Sequence, residues 1–359
     1  MADKNILQMD IGFGGVNITQ KALFAKHLAV MLRSGLTIIE ALSIAQDSAE
    51  GRLKKAIGGV LRSVENGRSL SSAFGEYPNI FSGLFIHATY AGETSGTLSE
   101  NLENIAEQFA KEKELISKIR GAMIYPIVVL VAAFFLGLGM AFFVLPKIVP
   151  LFEGLRVTLP PTTRALIAFS HFMESWGYLF FLGIVVGAAL FIWIVRQKFA
   201  KPVTHWFFLH APVVKGVSRG ANIARFCRTL GTLLKSGVNI DEALEITKES
   251  MSNFYYRRSL ESVSLRIGKG AKLSESLAQL PSLYPIIVTR MIGVGEESGK
   301  FEETLFYLAD FYETEVDTAT KSLATAVEPI LLLFIGLLVG GLALAIITPI
   351  YQITGNIGR

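Results

Sequence analysis

The residues that come nearest to phosphate chemistry in this chain are the string GEESGKF at Gly295–Phe301. A nucleotide-binding loop needs the pattern G-x-x-x-x-G-K-[ST] after a strand, because backbone amides and the lysine hold the phosphates. The string has the wrong glycine spacing, ends in Phe301 in place of a hydroxyl residue, and carries two glutamates. The sequence therefore predicts that the chain does not hydrolyse nucleotides itself.

The other residue types that catalyse reactions or bind metals form no known arrangement in this sequence. The single cysteine, Cys227, excludes an intramolecular disulfide and a cysteine-rich zinc site. No G-x-S-x-G elbow or Cys–His pairing suggests a nucleophile. The five histidines lack HExxH or any other metal spacing: His27, His87, His171, His205 and His210. We therefore expect no enzyme activity, no metal and no cofactor.

One glycine-flanked glutamate motif occurs twice, as GETSG at Gly92–Gly96 and as GEESG at Gly295–Gly299. Glycine takes left-handed backbone conformations easily, so the motif is typical of a turn between helices, with Thr97 or Ser99 capping the second helix. A turn does not itself require a glutamate in both strings. A cation site or a partner contact is therefore an alternative, compatible with the turn. Its candidate residues are Gly92, Glu93, Gly96, Gly295, Glu296, Glu297 and Gly299.

The elements that position these motifs include apolar stretches long enough to cross a bilayer. Of the 359 residues, 51% are hydrophobic and 18% charged, and the net charge of +4 has no basic run that would favour nucleic acid. A transmembrane helix needs about 20 apolar residues, whereas a buried core helix suits shorter stretches. The three uncharged candidates are Ile127–Leu145, Tyr178–Val195 and Ile330–Thr348. We predict a multi-pass protein of the lipid bilayer.

Basic residues cluster on one side of these predicted spans. They precede the first span and follow the second, whereas the connection between the two has few. Lysine and arginine accumulate on the cytoplasmic side of membrane proteins. The N-terminus also lacks the basic and apolar regions of a signal peptide. The sequence thus predicts a cytoplasmic N-terminus and an external C-terminus. The clustered residues are Lys111, Lys113, Lys118, Arg120, Arg196, Lys198, Lys201, Lys215 and Arg219.

The chain contains an internal repeat with an offset of 202 to 203 residues. LRSGLTIIEAL at Leu32–Leu42 returns as LKSGVNIDEAL at Leu234–Leu244, and GRSLSSAF at Gly67–Phe74 returns as GAKLSESL at Gly270–Leu277. The glutamate motifs and the prolines follow the same offset. Self-similarity of this kind marks a duplicated structural unit. Because each copy leads into an outward span, one unmatched span must return the chain between them.

Helical spacing of apolar residues and the absence of alternating strand patterns predict an all-α fold. Thr37-x-x-Glu40 and Asn239-x-x-Glu242 both have the pattern of a capping box at a helix start. We expect two tandem cytoplasmic bundles of about six helices each and three transmembrane helices. The predicted segments are an N-terminal tail (1–18), copy 1 (19–122), a first span (123–146), an external loop (147–175), a second span (176–195), copy 2 (196–325), a third span (326–349) and an external tail (350–359).

In this order, the duplicated motifs resemble the inner-membrane platform proteins of type IV pilus assembly and type II secretion machines. The likeness covers about Thr19–Ile353 and includes the string KIRGAMIYP at Lys118–Pro126. It implies a non-enzymatic platform, a homodimer, that contacts a hexameric cytoplasmic ATPase, pilins or pseudopilins and other inner-membrane assembly proteins. No nucleic acid is implied.

Carried over by position, Glu93 and Glu296 are candidates for contact with the ATPase. The junction prolines would shape the entry to the spans, with a break or kink expected after Tyr125 and after Glu328. These prolines are Pro126, Pro146, Pro329 and Pro349. The alternative function is a small duplicated membrane transporter, although such a protein needs polar residues at mid-membrane or interrupted spans.

Overall fold

The computed structural model describes residues 16–144, 147, 149–150, 161–197, 199–212 and 214–357. The described residues form helices joined by short turns, and no strand occurs among them. The all-α prediction is therefore confirmed for the part of the chain that the structure describes.

Each copy of the repeat folds as six helices in the same order. Those of copy 1 are α1 (Ile18–Arg33), α2 (Ile38–Ser48), α3 (Gly51–Glu65), α4 (Leu70–Gly75), α5 (Gly83–Ser95) and α6 (Leu98–Gly139). A π-helical turn, Met140–Val144, follows α6, and the helices α7 (Pro161–Arg196) and α8 (Lys201–His210) lie between the copies. Those of copy 2 are α9 (Lys215–Lys235), α10 (Ile240–Ser250), α11 (Phe254–Ile267), α12 (Leu273–Ala278), α13 (Ile286–Ser298) and α14 (Phe301–Ile357).

The chain forms two compact units, and the first five helices of both copies belong to the same one. This bundle unit comprises the chain up to Lys118 together with His205–Asp317. The second, apolar unit comprises Ile119–Thr204 and Thr318–Arg359. The first part of α6 and of α14 thus belongs to the bundle unit, and the remainder of each belongs to the apolar unit.

Corresponding aromatic residues form the core of each copy within the bundle unit. In copy 1 the rings of Phe24 and Phe81 lie 5.7 Å apart, and in copy 2 the rings of Phe226 and Tyr284 lie 5.6 Å apart. All four side chains are buried. Full burial of such a side chain stabilises a fold by about 1.5–3 kcal/mol. This contribution to the core explains why the repeated strings PNIF and PSLY both end in an aromatic residue, Phe81 and Tyr284.

The turn that starts the second helix of each copy is formed by a glycine with positive φ. Gly35 and Gly237 have φ values of 89° and 86°, a conformation that favours glycine. In copy 1 the predicted capping box forms, since Thr37 Oγ1 accepts from Glu40 N at 3.3 Å and Glu40 Oε2 accepts from Thr37 N at 2.9 Å.

The same prediction is wrong for copy 2. Asn239 occupies the N-cap position of α10, but its side chain makes no capping hydrogen bond. The carboxylate of Glu242 instead pairs with the imidazole of His87 on α5, in copy 1. Glu242 therefore forms an ion pair between the two copies and does not cap its own helix.

The sequence predicts a break or kink at Pro126, and no break occurs there. Helix α6 runs without interruption from Leu98 to Gly139, with Pro126 inside it. Helix α14 likewise continues past Glu328 and Pro329 to Ile357.

Within its described residues, the apolar unit contains two helices long and apolar enough to cross a membrane, within Leu98–Val144 and within Ile167–Val195. In each helix, no residue of the most apolar 18-residue stretch is buried. A core helix of a soluble domain would be mostly buried. The described residues of α7, Pro161–Arg196, include part of the predicted external loop. Within the third predicted span, the described residues contain the apolar stretch Leu331–Gly341, which is part of α14.

Candidate functional site

In copy 1, the glutamate of the repeated motif caps a neighbouring helix. Glu93 lies near the end of α5, and its carboxylate accepts hydrogen bonds from the backbone N–H of Leu70 at 2.5 Å and of Ser71 at 3.0 Å. The Ser71 hydroxyl also donates to it. Ser69 Oγ accepts from the next amide, that of Ser72, at 3.3 Å. The first three amides of α4, which no intrahelical carbonyl can satisfy, therefore all have partners.

Copy 2 repeats this arrangement. The carboxylate of Glu296 on α13 accepts from the backbone N–H of Leu273 at 2.7 Å and of Ser274 at 3.2 Å, and from the Ser274 hydroxyl. A carboxylate is favoured at this position because the N-terminus of a helix carries a partial positive charge. The conserved spacing between the LS pair and the glutamate in both copies therefore has a structural cause.

The two glycines of each motif have different structural roles. Gly96 and Gly299 end their helices in the left-handed conformation, with φ values of 76° and 72°, as expected from the sequence. Gly92 and Gly295 are instead helical, and there the next helix lies very close. A Cβ atom on Gly92 would lie 2.8 Å from Leu98 Cα, and one on Gly295 would lie 2.8 Å from Thr304 Oγ1. These two positions need glycine for close packing, which the sequence did not indicate.

Glu297 differs from the other two glutamates of the motif. Its side chain is 72% exposed and approaches only Lys272 Nζ, at 3.4 Å. Glu93 and Glu296 are half-buried, with both carboxylate oxygens engaged by α4 and α12. In the described residues, no group of three or more His, Cys, Asp or Glu is placed to hold a metal ion. Of the three predicted glutamates, Glu297 is therefore the one whose carboxylate faces solvent.

A buried polar seam joins the two copies. Asn101 of α6 donates to the backbone carbonyl of Ser236 at the end of α9, at 3.0 Å. Gln108, two turns further along α6, donates to Thr229 Oγ1 at 3.3 Å and accepts from Thr232 Oγ1 at 3.2 Å. Buried amide groups need such partners, so these bonds fix the register of α6 against α9.

A charged cluster extends this seam along α14. Arg228 of α9 is buried and donates through Nε to Glu313 at 2.9 Å, and through its terminal nitrogen to Asp310. Lys111 of α6 lies 3.7 Å from Asp310, so copy 1 also contributes a cation. Burial opposes the charge of Arg228, but its hydrogen bonds and attraction to Asp310 and Glu313 outweigh burial and raise the pKa of the guanidinium. The ring of Phe306 lies 5.9 Å from the guanidinium carbon.

The four junction prolines have different positions. Pro126 is buried within α6, and Pro329 is exposed within α14. Pro349 lies in α14, with its side chain outside the described residues, and Pro146 lies outside them altogether. Their proposed effect on movement at the junctions therefore stays a prediction.

The sequence did not reveal the serine partner of each glutamate or the polar seam between the copies. The serines carried a signal, because Ser71 and Ser274 stand at matching positions of the repeat. The seam carried a weaker one: Asn101, Asn104 and Gln108 share one helical face, but their counterparts in copy 2 are Thr304, Tyr307 and Phe311. The residues that join the copies therefore differ between them, so the repeat pattern does not indicate them.

Taken together, the fold defines a helical membrane protein built by tandem duplication, with its polar contacts used to hold helices and copies together. Comparison with known families identifies the duplication independently. The family model described as "Type II secretion system (T2SS), protein F" matches residues 24–146 and again residues 226–349. The chain belongs to this family, as its motifs predicted.

Relatives in this family carry two kinds of name. The chain is 38% identical to the type IV pilus assembly protein PilC of Thermus thermophilus, over 96% of this chain and 84% of the relative. It is 33% identical to the protein of the same name in Myxococcus xanthus, over 99% and 86%. It is 31% identical to the type II secretion system protein F of Aeromonas hydrophila, over 96% and 88%. The chain is thus a component of the pilus assembly and type II secretion class of machinery.

Proposed function

We propose that this protein is the non-enzymatic inner-membrane platform of a type IV pilus or type II secretion machine. In this role its bundle unit faces the cytoplasm and couples a hexameric assembly ATPase to the extraction of pilins or pseudopilins and their addition to a fibre. The observation that carries the proposal is the double family match, which extends over both copies and into the apolar helices. The relatives named for pilus assembly and for secretion cover nearly the whole chain.

The proposed topology has three spans, a cytoplasmic N-terminus and an external C-terminus. It is supported by the two exposed apolar helices and by the basic residues that flank them. Reporter fusions that are active only outside the cytoplasm can test it at Asn66, Gly154, Gly268 and Gly355. Activity is expected at Gly154 and Gly355. An inactive fusion at Gly355, together with an active one at Gly154, would mean that α14 does not cross.

The surface near Glu297 is the proposed contact with the ATPase. Its carboxylate is exposed and not used as a helix cap, unlike those of Glu93 and Glu296. Exchange of Glu297 for lysine should weaken co-purification of the ATPase while leaving the thermal stability of the protein unchanged. Exchange of the exposed Glu261 on α11 for lysine is the matched control. Equal binding by both variants would remove this surface from the proposal.

The function itself is tested by deletion of the gene and electron microscopy of the cell surface. Loss of filaments, restored by the wild-type gene, supports the pilus role. Intact filaments with loss of extracellular enzymes support the secretion role. If the deletion strain shows neither of these defects, the platform proposal is contradicted. Transport of a solute by the purified protein in liposomes would support the alternative of a small transporter.

A further inference from the structure

The contact between the two copies joins unlike faces of the repeat. Copy 1 contributes α5 and α6, through Asn101 and His87, and copy 2 contributes α9 and α10, through Ser236 and Glu242. The counterparts of α9–α10 in copy 1 are α1–α2, and the counterparts of α5–α6 in copy 2 are α13–α14. The contact is therefore head-to-tail, and it leaves one face of each kind without its repeat partner.

The α13–α14 face is exposed and apolar where its counterpart is covered. Gln108 is 3% exposed in the contact between the copies, whereas the matching Phe311 is 43% exposed. Leu84 is 5% exposed and the matching Ile287 is 50% exposed. Ile286 and Val294 extend the patch, at positions that match Gly83 and Ala91. Several large apolar side chains grouped on one face of a helical bundle mark an interaction surface.

The α1–α2 face of copy 1 shows the same difference. Ile246 is 5% exposed in the contact between the copies, whereas the matching Ile44 is 47% exposed. Thr232 is 2% exposed and the matching Val30 is 46% exposed. Leu23 and Ile39 are also exposed on these helices. The two uncovered faces, α1–α2 and α13–α14, are thus more apolar than the two faces buried in the contact between the copies.

The internal contact indicates which residues would meet across the two remaining faces. Gly83 opposes Ile246, since a Cβ on Gly83 would lie 3.5 Å from Ile246 Cγ2. The matching pair is Ile286 and Ile44, two exposed isoleucines.

The ion pair between His87 and Glu242 has a matching pair as well. It consists of Arg290 and Glu40, which are both exposed and carry opposite charges. The remaining faces are therefore complementary in both apolar and charged positions.

We propose that a second copy of this chain docks its α1–α2 face on the α13–α14 face of the first, repeating between chains the head-to-tail contact present within each chain. Such contacts close into a ring or continue as an open array, according to the rotation at each joint. The inference goes beyond the proposed function, in which no contact between two copies of the chain is specified. It rests on the repeat and its exposed faces, so it can fail without affecting the assignment to a pilus or secretion machine.

Cysteine cross-linking in membranes tests the direction of this contact on the full chain. Two differently tagged chains are co-expressed in a Cys227→Ala background, one with Ile44→Cys and the other with Ile286→Cys. Oxidation should join the two tags in a species of twice the 39.2 kDa chain mass. Each variant expressed alone should give at most a tenth of that product, because head-to-tail docking does not place identical positions together.

An internal control shows whether the geometry permits a disulfide. The variant with Gly83→Cys and Ile246→Cys places cysteines in the matching contact within one chain, and its two thiols should become protected from labelling on oxidation. If this control reacts but the co-expressed pair does not, the proposal is wrong. Strong cross-linking of Ile44→Cys or Ile286→Cys to itself would also overturn it, because that product requires like faces to meet.

A charged substitution supplies a second test. Ile286→Asp should lower, at least tenfold, the amount of untagged chain that co-purifies with a tagged chain. The Leu265→Asp control should leave that amount unchanged. Both positions are strongly exposed, and Leu265 lies on α11, a helix that belongs to neither face. Equal recovery with the two variants would contradict the proposed surface.

Discussion

The carboxylate of Glu93 lies 2.5 Å from the backbone nitrogen of Leu70, which precedes it by 23 residues. Glu296 and Leu273 stand in the same relationship in copy 2, at 2.7 Å. A side chain on the fifth helix of each copy thereby fixes the start of the fourth. This relationship links two motifs that look independent in the sequence.

Loss of the carboxylate at either position should destabilise the protein. Exchange of Glu93 or Glu296 for glutamine leaves one acceptor oxygen where two backbone amides and a hydroxyl now donate. We expect a loss of about 1–3 kcal/mol per site, since hydrogen bonds to charged groups are the stronger kind. Urea unfolding of the purified chain in detergent measures this loss. Glu297→Gln is the control, with a change within about 0.5 kcal/mol. Equal effects at Glu93 and Glu297 would contradict the capping role.

The serine and the glutamate of each copy should act as a unit. Ser71→Ala removes one donor to the Glu93 carboxylate, and we expect it to cost about 1 kcal/mol in the wild-type background. In the Glu93→Gln background the cost should be smaller by at least 0.5 kcal/mol, which is the size expected for residues in contact. A double-mutant cycle of urea unfolding measures the difference. Strict additivity would show that the two side chains do not interact.

Substitution of the helical glycine in each motif should separate α5 from α6, or α13 from α14. Gly92→Ala places a Cβ atom 2.8 Å from Leu98 Cα, so the helices must move apart, at a cost of about 1–3 kcal/mol. Gly295→Ala should behave in the same way. Gly75→Ala is the matched control, because that Cβ would meet no atom within 4 Å and alanine is the better helix former. Equal melting temperatures for Gly92→Ala and Gly75→Ala would show that the close approach is unimportant.

Removal of the buried guanidinium should destabilise copy 2. Arg228→Met leaves Glu313, which is largely buried, without its main partner. A loss of about 2–4 kcal/mol is expected, lower than for a fully buried pair because Asp310 is more than half exposed. Lys300→Met is the control, since its contact with Glu303 is fully at the surface and should contribute less than about 1 kcal/mol. Thermal unfolding of the two variants distinguishes these outcomes.

The thiol of Cys227 should be unreactive in the folded protein. Burial raises its pKa, with a smaller opposing effect from Arg228, so the reactive thiolate is scarce at neutral pH. Labelling with a maleimide should require unfolding.

The same shift has a consequence for stability at alkaline pH. Above the ordinary thiol pKa the unfolded state releases a proton that the folded state retains, so stability falls by about 1.4 kcal/mol per pH unit relative to Cys227→Ala. Identical pH profiles for the wild type and Cys227→Ala would contradict the raised pKa.

The sequence predicts the helices of this protein better than it predicts their contacts. Helical periodicity predicts about six helices for each copy because it depends only on neighbouring residues. The repeat offset of 202 to 203 residues supports the same number in both copies. The capping pattern at Asn239 and Glu242 is local too, yet it does not form a capping box, because Glu242 contacts His87 in the other copy. A contact between residues 155 positions apart leaves no mark in a local pattern.

The glutamate motif shows the same limit. The positive φ of Gly96 follows from its place at a helix end, whereas the need for glycine at Gly92 depends on the distance to α6. Glu93 was a candidate for partner contact because a turn does not require it. The structure supplies a different reason for the residue, since α4 would otherwise begin with unsatisfied amides.

The contact between the copies has a consequence for the concentration at which the bundle unit forms. Because Asn101 and Ser236 belong to one polypeptide, their faces meet in an intramolecular reaction, which does not depend on the protein concentration. Two separate half-length chains would have to find each other in the cell and would dissociate on dilution. Because one chain carries both copies, a single newly made molecule can form this contact whatever the level of expression.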